Sequence, residues 1–347
     1  MSHQDQDFEE AFEVIKVNDT HFKGKYPLRL PLPAARGVYG GNLIAQTLKV
    51  AMESSPQQYV PQSFHSFFVA PGKKSSPMDY KVTTIGKVGD KIIKQSIQAI
   101  QKDQIKFTAL VSLVRVGAED GTKSGANGTN LHYQLPPQSL HHKYNPDDIH
   151  SLVHTDYIRN AYSDEFVDYK LVPQEQHQSP ANRWVNVWSG IVQPGNHFRD
   201  AMTNFVGLAS LSDSVFLTTL ARILHAPWNP TETRSFEEVD LDKDARMWMN
   251  VSLNALHIFH YNAMSLDHHL YFHTTDPHDF DVASQWLTFS YQARRVSNNR
   301  TLVRGYFYNR EGKLIATAIQ EGLTLAFKGF ETIPEETSNY QDLKVRL

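Results

Sequence analysis

Position 213 combines a charge with apolar surroundings. The stretch FVGLASLSDSVFLTTLARIL, at residues 205–224, has apolar residues at helical spacing and predicts a helix. On such a helix, the neighbours of Asp213 are Ala209, Phe216 and Leu217. A carboxylate among apolar side chains loses hydration, which raises its pKa and strengthens it as a base. Asp213 is therefore a candidate general base.

A neutral amide lies near the end of the chain on an otherwise apolar strand face. In the predicted strand KLIATAIQEGLTL, Gln320 shares a face with Leu314, Ala316 and Ala318. Burying an amide without a partner costs about 1–3 kcal/mol, so Gln320 should have a hydrogen-bonding role. An amide that holds a water, beside a carboxylate that removes its proton, can activate that water for attack on an electrophilic carbonyl.

Other catalytic and metal-binding patterns are weak in this sequence. The absence of cysteine excludes disulfides, thiolate metal sites and a cysteine nucleophile. There is no G-x-S-x-G elbow around a serine nucleophile. Asp267 and His268 are adjacent, so on a strand they would point to opposite faces and should not act as a pair. We therefore expect no metal and no cofactor, since no zinc motif fits the spacing of His257, His260, His268, His269, His273 and His278.

A Gly-rich entry precedes the first long helix. Residues 36–55, RGVYGGNLIAQTLKVAMESS, predict a helix that ends before Pro56. GVYGGN matches neither a P-loop nor a dinucleotide fingerprint, and its glycines instead predict that the helix start lies close to a ligand or to a sheet. Beyond Pro56 the apolar period changes to two, which predicts strands in FHSFFVAP, DYKVTTIG, IIKQSIQAI and IKFTALVSLV.

The order of one helix and four strands occurs twice. The second helix is followed by SLDHHLYFH, ASQWLTFSYQARR, RTLVRGYFYN and KLIATAIQEGLTL, after a longer connection at 221–248. The turns at 102–104 and 310–312 set the register of the two copies and align Gln320 with Val111. The helices align Asp213 with the neutral Gln46, so only the second copy could supply a base.

The repeated pattern predicts a fold of the α+β class. A helix with an apolar stripe covers the apolar face of an antiparallel sheet, which is the hotdog arrangement. Two such repeats in tandem, a double hotdog, can join into one extended sheet and hide strand edges. We predict an N-terminal repeat at 1–116 and a C-terminal repeat at 181–347. The Gly/Asn/Ser-rich and Pro-rich residues 117–180 predict a linker or insertion that is partly mobile.

Composition excludes several classes of protein. A net charge of −3 argues against a nucleic-acid partner. The 40% of hydrophobic and 20% of charged residues match an ordinary globular protein. No run of 18 apolar residues occurs, so no integral membrane segment is expected. The polar, acidic start MSHQDQDFEEAFEV predicts neither a secretory signal nor a transit peptide.

Six sequence blocks, in order and over most of the chain outside 117–180, resemble the acyl-CoA thioesterase II family. The blocks are RGVYGGNLIAQ at 36–46, HSFF with PG at 65–72, LSD at 211–213, SLDH with YFH at 265–273, RGYF at 304–307 and GKLIATAIQEG at 312–322. One departure is that Val88, Gly89 and Asp90 replace the family's usual Arg-Asp-Gly turn. First-half contacts of the family therefore do not carry over directly.

The resemblance implies hydrolysis of fatty acyl-CoA to free fatty acid and CoA, with acyl-CoA as the bound partner. The family's catalytic set is an Asp on the second helix, a Thr or Ser early in a strand and a Gln in the last strand. It maps onto Asp213, Ser265 and Gln320, with Ser265 keeping the hydroxyl of the more usual Thr. In that reaction Asp213 would deprotonate a water that the other two position. Backbone N–H groups near Gly40 or Gly207 could hold the developing oxyanion.

Two other functions stay open at this stage. One is an enoyl-CoA hydratase or dehydratase on the same fold, although the Asp–His couple typical of that chemistry is not evident. The other is a non-catalytic acyl-CoA-binding protein, although three retained polar residues in the second copy favour catalysis.

The last residues of the chain suggest a cellular address. Arg346 and Leu347 fit the basic residue and leucine that end a peroxisomal signal, although Val345 is bulkier than the usual small residue. We expect a peroxisomal location, with the import receptor as a partner, and the cytoplasm is the alternative. Hotdog proteins often pair their sheets, so we also expect a homo-oligomer.

Overall fold

One antiparallel sheet of 14 strands forms the framework of the molecule. The computed structural model describes residues 7–31, 35–117, 133–138, 145–146, 151–155, 157–167, 169–225 and 261–326. The α-helices are α1 Phe8–Ala11, α2 Gly40–Glu53, α3 Asp164–Val167, α4 Pro173–Gln176, α5 Thr203–Leu211 and α6 Leu220–Ile223. The strands are β1 Val14–Asn18, β2 His21–Gly24, β3 Tyr59–Phe68, β4 Asp79–Val88, β5 Ile92–Gln101, β6 Gln104–Arg115, β7 Ser151–Thr155, β8 Ile158–Tyr162, β9 Val185–Ile191, β10 Tyr261–Ser265, β11 Asp267–Phe272, β12 Leu287–Ser297, β13 Arg300–Tyr308 and β14 Leu314–Ala326.

The two halves of the sheet meet where β3 pairs with β11. The strand order is β1-β2-β4-β5-β6-β3-β11-β14-β13-β12-β9-β8-β7, with β10 also pairing with β14. At the junction, Ser63 lies opposite Tyr271 and Phe67 opposite Asp267. His65 lies opposite His269 at its centre. The predicted double hotdog, two repeats joined into one extended sheet, is confirmed.

Helices α2 and α5 cover the apolar face of the sheet and pack against each other. α2 contacts β3, β5 and β6 as well as α5. Ile44, Leu48 and Ala51 of α2 have no exposed surface, and every residue of α5 is buried. Burying a Leu or Ile side chain contributes about 1.5–3 kcal/mol. The helix predicted at 36–55 and the four strands that follow it are confirmed.

The second helix is shorter than its sequence predicts. The expectation of one helix over 205–224 is wrong, because α5 ends at Leu211 and a separate turn of helix, α6, follows at Leu220. The Ser212 hydroxyl bonds to the Ala209 carbonyl at 2.7 Å, a local bond that competes with continued helix. Asp213 thus lies in a turn just beyond the helix, not on it.

Part of the stretch predicted as a linker belongs to the sheet. β7 and β8 lie within 117–180 and extend the sheet beyond β9. Ile158, Ala161 and Tyr162 of β8 are buried, so this part carries core residues. Most of the connection at 221–248 and the chain end at 345–347 lie outside the described residues. In the part of the chain that the structure describes, no helix is long and apolar enough to cross a membrane.

Candidate active site

Asp213, Ser265 and Gln320 form one hydrogen-bonded cluster. The Ser265 hydroxyl donates to Asp213 Oδ1 at 3.1 Å. The Gln320 amide nitrogen donates to Asp213 Oδ1 at 2.9 Å and to Ser265 Oγ at 2.7 Å. The three side chains come from the turn after α5, the end of β10 and the middle of β14. The structure therefore brings together all three residues that the sequence singled out.

The Asp213 carboxylate titrates near neutral pH. Burial among apolar side chains raises its pKa to about 6, and the hydrogen bonds from Gln320, Ser265 and the Gly41 N–H act in the opposite direction. The residue is half-buried, so part of its surface stays open to solvent. A carboxylate with this pKa is ionised above pH 6 and is more basic than an ordinary aspartate, as a general base requires.

The amino end of α2 points at Asp213. A β-carbon on Gly40 would lie 2.5 Å from Asp213 Oδ2, so only glycine allows this approach. The Gly41 N–H bonds to the carboxylate. The partial positive charge at a helix start favours a carboxylate there. A helix of the first repeat thus completes the surroundings of a carboxylate from the second repeat.

Tyr39 fastens the two helices together at this point. It lies at the N-cap of α2, and its hydroxyl donates to the Ser210 carbonyl at 2.9 Å. That carbonyl belongs to the last turn of α5, where carbonyls lack partners within the helix. Burial and the nearby Asp213 raise the pKa of Tyr39 well above its usual value, so the phenol stays neutral.

A β-bulge shapes the strand that carries Ser265. Ser265 pairs with Gly322, whereas His269 pairs with Ile319, so the strand has one residue more than its partner β14. The Glu321 N–H at this point donates to the Asp267 carboxylate at 2.8 Å instead of to a strand carbonyl. The bulge turns Ser265 to the same side of the sheet as His268, although the two are three residues apart.

His268 is a site residue that the sequence analysis missed. Its ring has no exposed surface. Its Nδ1 lies 2.8 Å from Gln320 Oε1, and its Nε2 lies 2.8 Å from Ser212 Oγ. Burial lowers the pKa of His268 to about 4, so the ring is neutral at pH 7. Its position opposite Gln320 could have revealed its role. Simple strand alternation does not show this position, because the bulge adds a residue between Ser265 and His269.

The expected separation of Asp267 and His268 is found. Asp267 accepts from the Glu321 N–H and lies 3.6 Å from His269 Nε2, away from the His268 ring. On the face of the sheet opposite to the His268 ring, His269 Nδ1 lies 3.1 Å from His65 Nδ1. Among the described residues, no group of three or more His, Cys, Asp or Glu could hold a metal ion.

Only one of the two glycines considered for an oxyanion site lies at a helix start. Gly207 lies inside α5, where a β-carbon would lie 2.6 Å from a methyl group of Val282. The start of α5 is also occupied, because the Glu9 carboxylate accepts from the Asp200 N–H at 3.0 Å and from the Thr203 hydroxyl at 3.1 Å. Gly40, at the start of α2, is beside the Asp213 cluster.

Models of two protein domains match the sequence of this chain. A model of the acyl-CoA thioesterase N-terminal domain matches residues 28–114, and a model of the acyl-CoA thioesterase C-terminal domain matches residues 159–324. The two matches together span well over half of the chain. The chain belongs to the acyl-CoA thioesterase II family. As a member, it is an enzyme that hydrolyses acyl-CoA thioesters. The thioesterase C-terminal domain match begins within the residues predicted as a linker, as does β8.

Individual relatives of this thioesterase are distant but match along most of their length. A protein of Saccharomyces cerevisiae named peroxisomal acyl-coenzyme A thioester hydrolase 1 is 23% identical, with 90% of this chain and 93% of the relative covered. Acyl-CoA thioesterase 2 of Haemophilus influenzae is also 23% identical, over 89% and 93% of the two chains. The crystal structure of the acyl-CoA thioesterase II TesB2 from Mycobacterium marinum shares the fold, with a TM-score of 0.62, 17% identity and coverage of 92% and 98%.

Proposed function

We propose that this enzyme cleaves fatty acyl-CoA by direct attack of a water that Asp213 deprotonates and that Gln320 and Ser265 position. The observation that carries the proposal is the contact of all three side chains within 3.1 Å, around a carboxylate whose pKa is about 6. General-base catalysis of this kind contributes about 10²–10⁴-fold. Fixing the water against the carbonyl contributes further.

The proposed reaction has two steps and needs no external reactant besides water. In the first, the Asp213 carboxylate takes a proton from water as its oxygen bonds to the thioester carbonyl carbon, which gives a tetrahedral oxyanion. In the second, the carbon–sulfur bond breaks, and the CoA thiolate leaves with the proton that Asp213 holds. The products are the fatty acid and CoA, and Asp213 returns to its ionised form.

The start of α2 is the proposed site for the oxyanion. The N–H groups in the first turn of a helix lack partners within it and carry partial positive charge. Gly40 lets this backbone lie directly against Asp213, so an oxyanion formed beside the carboxylate would be close to these N–H groups. Fixed N–H donors at the developing charge are commonly the largest single contribution to acyl-transfer catalysis.

A direct assay tests this proposal. The purified enzyme is mixed with palmitoyl-CoA and a thiol-trapping dye, and the release of free CoA is followed for the parent and for Asp213→Asn. Thiol release that depends on Asp213 is the expected result. In a parallel reaction with an enoyl-CoA, loss of the enoyl absorbance without thiol release would indicate the hydratase instead. Binding of both substrates with neither signal would indicate a non-catalytic acyl-CoA-binding protein.

We also propose a peroxisomal location for this chain. Support comes from the name of the yeast relative and from Arg346 and Leu347, which fit the end of a peroxisomal signal. A fluorescently tagged chain should co-localise with a peroxisomal marker and become diffuse when residues 345–347 are deleted, at unchanged specific activity. Puncta that persist after the deletion would count against the import receptor as the partner of this tail.

Self-association is the remaining part of the proposal. Phe67, Leu110 and Tyr271 are exposed on the outer face of the sheet around the β3–β11 junction, and clustered exposed apolar side chains favour association. Light scattering should give a multiple of the 39.6 kDa chain mass. The same measurement on Phe67→Glu should shift toward a single chain.

A further inference from the structure

A buried histidine contacts the oxygen of the Gln320 amide, on the side away from Asp213. The His268 ring lies between Gln320 Oε1 and Ser212 Oγ, at 2.8 Å from each. The backbone that carries the ring is also held, because the Ser66 hydroxyl of β3 donates to the His268 carbonyl at 2.8 Å. The chain of contacts runs from Ser212 through His268 and Gln320 to Asp213.

The partners of Gln320 determine which way its amide faces. Its nitrogen has two hydrogens, and these fit Asp213 Oδ1 and Ser265 Oγ, both of which accept. The amide oxygen then faces His268 and needs a donor, which only a protonated Nδ1 supplies. The neutral ring is thereby left with an unprotonated Nε2 that faces the Ser212 hydroxyl, whose one hydrogen is shared between this nitrogen and the Ala209 carbonyl.

We propose that His268 is a positioning residue that keeps the NH₂ group of Gln320 turned toward Asp213 and the attacking water throughout turnover. This inference rests on the proposed function. It matters most after the first chemical step, when Asp213 carries the water's proton and becomes a donor. A flipped amide could then accept from Asp213. Its nitrogen, which must exchange one of its two present bonds for one to the attacking water, would no longer face that water in the next cycle. The His268 Nδ1–H holds the amide oxygen and opposes that flip.

Two substitutions at one position separate the two ring nitrogens. The side-chain nitrogen of asparagine can occupy the place of Nδ1, whereas that of glutamine reaches the place of Nε2. His268→Asn therefore keeps a donor for Gln320 Oε1, and His268→Gln removes it while keeping a polar group toward Ser212. We expect kcat to fall about 10- to 100-fold in His268→Gln, because a buried amide oxygen loses its partner, and only a few-fold in His268→Asn. KM should change less than two-fold in both.

A double-mutant cycle with Gln320→Ala decides whether His268 acts through Gln320. If it does, His268→Gln in the Gln320→Ala background should lower kcat no further than Gln320→Ala alone. A purely structural role would lower the melting temperature of both His268 variants and leave the kcat of the folded fraction unaltered. Equal kcat in the Asn and Gln variants, or full additivity with Gln320→Ala, would overturn the inference while leaving the proposed function intact. Normal kcat in Gln320→Ala itself would overturn both.

Discussion

Gln46 and Asp213 occupy corresponding places in the two repeats, yet their surroundings differ. Gln46 lies inside the continuous helix α2, is fully buried, and accepts from the Tyr80 hydroxyl at 2.7 Å. Asp213 lies beyond the end of α5, half-buried and bonded to Gln320 and Ser265. The second repeat thus ends its helix early and leaves part of a carboxylate exposed beyond it. The first repeat keeps its helix whole and contributes the start of that helix.

The corresponding strand positions of the two repeats, Val111 and Gln320, also differ in polarity. Val111 lies opposite Phe64, an apolar pair buried in the core of the first repeat. In the second repeat the related contact joins Gln320 and His268, which are polar, buried and hydrogen-bonded. The same fold can therefore house either a plain core or a reactive site. The difference lies in a few polar side chains, each of which has hydrogen-bond partners.

Replacing the base should give the largest change. Asp213→Asn keeps the shape and removes the proton acceptor, so turnover of palmitoyl-CoA should fall about 10³-fold, within the range of general-base effects. The matched control is Gln46→Met in the first repeat, which should keep turnover within a few-fold. Activity of Asp213→Asn close to that of the parent, at normal circular dichroism, would refute the assignment of the base.

Removing the Gln320 amide should give the second largest loss of activity. Gln320→Ala should lower kcat about 10²-fold and leave KM nearly unchanged, because the amide acts on the attacking water rather than on bound CoA. Val111→Ala in the first repeat should lower stability alone, since it removes only core packing. The contrast fails if Gln320→Ala mainly raises KM, which would place the amide in substrate binding.

Adding a side chain at Gly40, where α2 meets Asp213, should have an intermediate effect on activity. An alanine side chain at Gly40 would meet Asp213 Oδ2 at 2.5 Å and the Phe68 ring at 2.9 Å, so the carboxylate must move. Gly40→Ala should lower kcat/KM about ten- to fifty-fold, since small misplacements of catalytic groups are costly. Gly86→Ala, where nothing lies within 4 Å, is the control and should match the parent.

The hydroxyl at position 265 should matter less than the amide. Ser265→Ala removes one donor to Asp213 and should lower kcat about ten-fold, whereas Ser265→Thr keeps the hydroxyl and should be tolerated. Steady-state kinetics of the two variants side by side provide the measurement. Similar rates for Ala and Thr would mean that Ser265 does not act through its hydroxyl.

The smallest effect concerns stability and its pH dependence. The folded-state pKa of Asp213 is about 6, above the ordinary aspartate value of 3.8, so folding favours the protonated form. Its contribution to stability is present below pH 3.8 and is lost as pH rises through 6. Asp213→Asn should therefore stabilise the fold at pH 8 by up to about 3 kcal/mol, as urea unfolding can measure, and the gain should vanish near pH 4. An equal gain at both pH values would contradict the raised pKa.

Local patterns in the sequence were enough to predict most of the scaffold. Alternating apolar residues give β3 to β6 their buried face, and helical spacing gives α2 its buried stripe. The meeting of Asp213, Ser265 and Gln320 followed from the resemblance and from the internal repeat. An edge-to-edge joining of the two repeats was predictable because an open sheet edge needs to be covered, whereas the strands that meet, β3 and β11, are known only from the structure.

Three features could not be predicted, because each depends on contacts between distant residues. The end of α5 at Leu211 depends on partners that Ser212 and Asp213 find on other elements. The bulge before His268 appears only when β14 is paired. The strands within 117–180 are short, and β8 is held in the sheet by its pairing with the distant β9. Apolar periodicity describes one element at a time and contains none of this information.

The β3–β11 seam has a consequence for how the protein is made. His65 and His269 meet across it although 204 residues separate them in the chain. During synthesis the whole first repeat emerges while β3 is still an open sheet edge, which is prone to pair with other chains. Contacts between such distant residues form slowly. The seam should therefore close late in folding, and Asp213 should meet Gly40 only then, so recovered activity should lag behind recovered secondary structure.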